Sequence, residues 1–136
     1  MTEISLVLGF DYGEKNIGVA SGNAITGTAQ PVTILKSTHS EPDWSEVEAL
    51  IKEYTPDAFI LGIPFTKDGT ETDHIKKIRK FGNRLHGRFG LPVFEVDESR
   101  SSMESEAFLK PSQRNKKGQL DAISAAIIIE RWFSPF

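Results

Sequence analysis

Gly9-Phe10-Asp11-Tyr12-Gly13-Glu14-Lys15-Asn16-Ile17-Gly18-Val19-Ala20 is the stretch on which the fold turns. A nearly continuous apolar run, Ile4 to Phe10, leads into it. Such a run has the texture of a central strand buried on both faces. Asp11-Tyr12-Gly13 then stops the strand at a turn. Only Gly13, Glu14 and Lys15 separate it from a second apolar run, Asn16 to Ser21, which is a hairpin-sized connection. Glycine beside the acid leaves room for a phosphate or a metal to approach the backbone. The stretch is not a P-loop, because no Gly-Lys-Ser/Thr follows and a hairpin, not a helix, opens.

Working outward, a third strand is expected within Thr26 to Leu35, where Val32, Ile34 and nearby threonines favour a pleat. The three strands form an antiparallel meander. Beyond Pro42-Asp43, the residues Val47, Leu50, Ile51 and Tyr54 mark one face of an amphipathic helix that Pro56 stops. Ala58 to Gly62 is another buried strand. Ile75, Ile78, Phe81, Leu85 and Phe89 define a long second helix, and Thr70 with Asp73 resembles a capping box at its start. Leu91 to Val96 is a strand ending at Asp97-Glu98. A short helix over Ser102 to Leu109, a polar loop over Pro111 to Gly118 and a buried helix over Gln119 to Trp132 complete the chain. A meander followed by helix–strand alternation predicts an α/β fold. Its expected core is a five-stranded mixed sheet flanked by helices, in one domain over 1–136.

The bulk composition agrees with that frame. Of the 136 residues, 38% are apolar and 26% charged, the balance of an ordinary globular chain. No run of about 18 apolar residues suggests a membrane span. Met1-Thr2-Glu3-Ile4 is acidic where a signal peptide is basic, so a cytoplasmic location is expected. The absence of cysteine excludes disulfides, cysteine–zinc sites and a thiol nucleophile. The net charge of −3 hides an asymmetry. Residues 1–75 carry 4 Lys/Arg against 12 Asp/Glu, whereas 76–136 carry 12 against 7. A basic second half is compatible with a nucleic-acid partner and equally with a solvated helix.

Three carboxylates stand out by position. Asp11 ends the first strand, Glu98 ends the last, and Asp121 lies in the first turns of the final helix. Ligands collect outside the carboxyl ends of parallel strands, where Asp11 and Glu98 can converge. Asp121 precedes Ala122 to Ile127, a small apolar face that directs it towards the sheet. Acids brought together raise one another's pKa, and a hard divalent cation, Mg²⁺ or Mn²⁺, removes that penalty. Such ions activate water and stabilise the leaving oxygen of a phosphodiester. Taken singly, each acid has an ordinary alternative. Asp11 suits a turn, Asp121 suits a helix start, and Glu98 beside Asp97 suits a solvated strand end.

The candidate phosphate contacts are basic. Lys15 follows the first acid. Lys77, Lys80, Arg84 and Arg88 form one stripe of the second helix, at spacings of 3, 4 and 4. Arg100, Arg114, Lys116 and Lys117 follow the last strand. Contacts of this kind give affinity without base specificity. The loop Gly62 to Thr70 precedes a helix and offers either a phosphate-binding N-terminus or a structural Asp-Gly turn with a threonine cap. His39, His74 and His86 lack metal-ligand spacing and read as surface residues.

These motifs together resemble the YqgF/RuvX family of bacterial pre-16S rRNA nucleases, or Holliday-junction resolvase-like proteins, over essentially the whole chain. The matching pieces are Gly9 to Gly13 with Ile17 to Ala20, Gly62-Ile63-Pro64 with Asp68-Gly69-Thr70, Asp97-Glu98, Arg114 to Lys117, and Asp121 with Ala125-Ala126. The resemblance implies a ribonuclease H-like fold and a metal-dependent nuclease linked to 5′-end maturation of 16S ribosomal RNA. By position it carries Asp11, Glu98 and Asp121 over as the catalytic acids. Two departures stand out. Asp97-Glu98-Ser99-Arg100 displaces the family's arginine by one place, and Asn16 replaces an arginine after the lysine. The alternatives are a nuclease for branched DNA, a sugar-kinase or actin-type ATPase, and a non-catalytic RNA-binding module. The ATPase architecture needs two such domains, which this length does not provide.

Overall fold

The computed structural model describes residues 4–39, 41–98 and 117–133. Seven hydrophobic-rich residues, Leu6–Tyr12, form β1. Strands β2 (Asn16–Asn23) and β3 (Thr28–Thr38) follow as the expected meander. Then come β4 (Glu41–Pro42), α1 (Trp44–Tyr54), β5 (Ala58–Ile63), α2 (Asp73–Phe89), β6 (Val93–Asp97) and α3 (Lys117–Phe133).

The sheet has the order β4-β3-β2-β1-β5-β6. β1 is antiparallel to β2 and parallel to β5, and β5 is parallel to β6. The expected five strands are therefore six. The extra one is β4, whose two residues pair with Ser37 and Thr38 after a turn at His39, with φ of 54°. Two residues are too few to carry an alternating pattern, and proline in a strand suits only such an edge.

Alternation along β1 separates the two faces of the sheet. Leu8, Phe10 and Tyr12 pack with Phe59, Leu61 and Ile63 of β5 under Val47 of α1 and Ile75, Ile78, Phe81 and Leu85 of α2. Val7 packs on the opposite face, with Ala20, Ala58 and Ile60 under Ala125, Ala126, Ile128 and Ile129 of α3. Asp11 falls on that second face, opposite Gly18 in the ladder. A Cβ at Gly9 would lie 2.5 Å from the Ile129 side chain. Gly9 thus serves the seating of α3 and not the approach of a ligand.

The helix ends have local causes. Asp43 caps α1, its Oδ1 accepting the Ser45 N–H at 2.9 Å. Thr72, and not Thr70, caps α2, accepting the Ile75 N–H at 3.1 Å. The Thr70 N–H is already donated to Asp68 Oδ1 within the preceding loop. Gly90, with φ of 71°, closes α2 in the left-handed conformation. The helix expected over 102–109 lies outside the described residues, as do 111–116 of the expected loop, while α3 opens at Lys117, before that loop was expected to end. Among the described residues, no helix is long and apolar enough to cross a membrane.

Candidate active site

The carboxyl ends of β1, β5 and β6 lie side by side because these strands are parallel neighbours. Asp11 is the penultimate residue of β1. Glu98 follows β6 directly, and its N–H donates to the Ile63 carbonyl at 3.0 Å, which holds it beside the end of β5. Gly62 provides the space there, since a Cβ on it would come within 2.9 Å of Glu98 Oε2. The side chains of Asp11 and Glu98, 87 positions apart in sequence, are hydrogen-bonded to one another.

Asp121 reaches the same region from α3. Asp11 and Asp121 line one cleft of about 310 Å³, together with Glu14, Lys15 and Asn16. The helix lies against β2 at this point: a Cβ on Gly18 would meet the Asp121 main chain. Ala122, Ala125 and Ala126 are buried beneath α3, so small side chains permit the close seating.

The electrostatics follow from this placement. Burial raises the Asp11 carboxyl well above the ordinary carboxylate range, and the charge and hydrogen bond of Glu98 and then the charge of Asp121 raise it further. Burial raises Glu98 also, while its hydrogen bond from Asp11 and the charges of His74 and Arg131 pull it back. The two acids behave as one coupled pair. A proton held between them in their hydrogen bond relieves the repulsion of two buried charges.

Among the described residues, no three His, Cys, Asp or Glu side chains are gathered as a ready metal centre. The donors nevertheless fit a hard cation. Asp11 and Glu98 are adjacent oxygen ligands whose joint ionisation is costly until positive charge arrives, and Mg²⁺ typically takes one or two carboxylates and fills its remaining positions with water and phosphate oxygens.

The basic residues divide. Lys15 lines the acid cleft. Lys77 forms an ion pair with Glu14 at 2.5 Å and Arg84 one with Glu41. Lys77, Lys80 and Arg84 line a second pocket on the other side of Tyr12. Arg88 lies 4.4 Å above the Trp44 ring. Lys117 begins α3, and Arg100, Arg114 and Lys116 lie outside the described residues.

Comparison with known proteins agrees with this geometry. The family model RuvX, described as Holliday junction resolvase, matches residues 5–135. The chain belongs to the RuvX family. It is 45% identical over 132 residues to the "Putative pre-16S rRNA nuclease" of Azotobacter vinelandii, covering 95% of this chain and 93% of that one. It is 48% identical over 130 residues to the protein of the same name from Pectobacterium carotovorum, covering 93% and 94%. Among solved structures, RuvC of Thermus thermophilus in complex with a Holliday junction substrate superposes with a TM-score of 0.60 at 16% identity, over 96% of this chain and 94% of that chain. The yeast mitochondrial Holliday junction resolvase Ydc2 gives 0.57 at 12% identity, over 98% and 79%. These two establish the RuvC-like ribonuclease H fold, with its mixed sheet between helices. As a RuvX protein the chain is a nuclease, a hydrolase of phosphodiester bonds.

Two residues of this RuvX site carry no signal in the sequence. His74 is exposed, as the sequence suggested, but it stands in the first turn of α2 with its ring 6.3 Å from that of Tyr12, and its charge acts on Glu98 and Glu14. Arg131, near the end of α3, donates from Nη1 to the Asp97 carbonyl at 2.9 Å. Both arrive by tertiary packing, which no local spacing reports.

Proposed function

We propose that this RuvX protein cleaves RNA, in 5′-end maturation of pre-16S ribosomal RNA in the cytoplasm, using Asp11, Glu98 and Asp121 and a divalent cation, Mg²⁺ or Mn²⁺. The observation that carries the reading is the hydrogen-bonded Asp11–Glu98 pair at the end of the central strands, with Asp121 across the cleft. The names of the curated relatives, "Putative pre-16S rRNA nuclease", supply the substrate class.

Asp11 and Glu98 would hold the cation. When bound, it supplies Lewis-acid charge to the phosphodiester and to the attacking water. The chain's own part is positional and electrostatic. β1 and β6 fix two acids that are costly to ionise together, so the site gains most from a cation. Glu98 already accepts a hydrogen bond from Asp11 where a cation would sit. Lys15 faces the same cleft and is placed to meet an incoming phosphate. The remaining basic residues, Lys77, Lys80, Arg84, Arg88, Arg100, Arg114, Lys116 and Lys117, would contact the backbone further out.

A second reading, a nuclease for branched DNA, is favoured by the resolvase description of the family model and by the RuvC fold. Precursor ribosomal RNA and a four-way DNA junction, assayed side by side with Mg²⁺ or Mn²⁺, separate the two. Cleavage of the RNA that disappears in Asp11→Asn is the expected result. Cleavage of the junction alone would replace the first reading with the second. Cleavage of neither would favour a binding module.

A further inference from the structure

We propose that the pocket beside Tyr12 binds a backbone phosphate of the same strand that is cut, and that the substrate therefore enters unpaired, bent round the end of β1. This rests on the reading of Asp11, Glu98 and Asp121 as the cleavage site.

The pocket has a volume of about 190 Å³, far above the ~10–15 Å³ that one water requires, so a tetrahedral oxyanion has room. Lys77, Lys80 and Arg84 supply cations, and among the described residues Glu41 is the one acid on its wall. Arg84 is paired with Glu41 and Lys77 with Glu14, whereas Lys80 has no acidic partner among the described residues. The aromatic wall is continuous. Trp44 stacks on Phe81 at 5.7 Å and carries Arg88 on its ring, and Phe81 packs on Tyr12 at 5.4 Å. An ammonium without an acidic partner beside an aromatic wall is a site that attracts an anion.

Its location says what the anion belongs to. Tyr12 lines both this pocket and the acid cleft, and the Glu14–Lys77 ion pair joins their rims. Yet Asp11 lies on the α3 face of the sheet and Tyr12 on the α1–α2 face, because consecutive residues of a strand point oppositely. A chain with one phosphate at Asp11 and another at Lys80 must turn around the tip of β1 within a few nucleotides. A duplex is stiff, with a persistence length of about 150 bp for DNA, and does not make that turn cheaply. A single strand does, and it brings the phosphate that the pocket's charge requires.

The test compares Lys80→Gln with Lys52→Gln, an exposed lysine of α1 that pairs with Glu48 and lies outside both clefts. A short labelled RNA is titrated by fluorescence anisotropy over a range of KCl, once as a single strand and once as a blunt duplex. Lys80→Gln is expected to weaken single-strand binding severalfold and to lower the slope of log affinity against log salt by about 0.7, the value for one phosphate on a single strand. Duplex binding should change no more than in Lys52→Gln. Equal behaviour of the two variants, or equal losses on strand and duplex, overturns the proposal. Adenosine monophosphate forms a further arm. If Lys80→Gln abolishes its binding and leaves RNA binding intact, the pocket holds a free nucleotide and the strand assignment is wrong. Cleavage by the parent protein and by Asp11→Asn is read in parallel. Asp11-dependent cleavage with no effect of Lys80 sinks the pocket alone. Lys80-dependent strand binding without Asp11-dependent cleavage sinks the acid site and leaves the pocket standing.

Discussion

A Cβ on Gly18 would lie 2.1 Å from the main-chain carbonyl oxygen of Asp121 and 2.4 Å from its carbonyl carbon. Strand β2 and helix α3 therefore meet backbone to backbone at the acid itself. No side chain can rotate away to relieve an added methyl group there. Gly18→Ala is expected to destabilise the protein by about 3 kcal/mol, the upper end of the usual cost of overpacking. It should also push Asp121 away from the cleft. A displacement of about 1 Å at a catalytic group can cost on the order of 100-fold in rate. Denaturant melts and single-turnover cleavage check the two effects separately. A destabilised variant that cleaves at the parental rate would show that the position of Asp121 does not matter to the chemistry.

Asp11 governs how stability responds to pH. Its folded carboxyl is raised by burial first and by Glu98 and Asp121 next. A carboxyl raised in the folded state contributes stability that is complete below its unfolded pKa and is lost as pH rises through the folded one. Without metal, the parent protein should lose stability on going from about pH 4 to about pH 8 relative to Asp11→Asn, which cannot ionise. The variant should melt higher than the parent at the upper pH, match it at the lower, and be inactive throughout. Thermal melts in chelator across that range decide the point. A gap that is constant with pH would mean that Asp11 does not titrate in the manner its surroundings require.

What was legible in the sequence was whatever local pattern reports. The apolar run into Asp11 and the short Gly13 to Lys15 connection announced β1 and its hairpin, and the small residues after Asp121 announced an inward-facing helix start. The unread parts depend on distant contacts or on very short elements. β4 has two residues and no period. The cap of α2 is Thr72, directly before Asp73, while the Thr70 N–H is tied to Asp68 in the preceding loop, a placement that a capping pattern does not report. Gly9, near the acid, looked like room for a ligand, but it is room for α3, as is Gly18. The Asp11–Glu98 hydrogen bond and the approach of His74 depend on how β1, β6 and α2 pack, which sequence spacing does not state.

Metal binding should follow from the same pair. Mg²⁺ or Mn²⁺ is expected to raise the melting temperature of the parent, and more at about pH 8 than at about pH 5, because the cation must displace the proton shared by Asp11 and Glu98. The shift should vanish in Asp11→Asn and fall strongly in Glu98→Gln. Asp97→Asn should retain it. Asp97 is exposed, and its charge raises Glu98, so its removal lowers the Glu98 carboxyl and slightly eases metal entry. Differential scanning fluorimetry with metal titration measures all four proteins. An undiminished shift in Asp11→Asn would place the cation elsewhere.

Arg131 provides the last test, because it acts on Glu98 without lining the cleft. Its Nη1 holds the Asp97 carbonyl at 2.9 Å, and its charge favours the ionised form of Glu98. Arg131→Met removes both the tether and the charge. Glu98 should then hold its proton to higher pH, so the acidic limb of the cleavage pH–rate profile moves upward. The rate at a pH well above that limb should fall less than the rate within it. Arg131→Lys keeps the charge but gives up the guanidinium geometry, and is expected to restore the position of the limb more fully than the plateau. A purely structural role would lower the whole profile evenly and leave its midpoint in place. A profile of Arg131→Met with the parental midpoint would therefore exclude Arg131 as a residue that sets the protonation of Glu98.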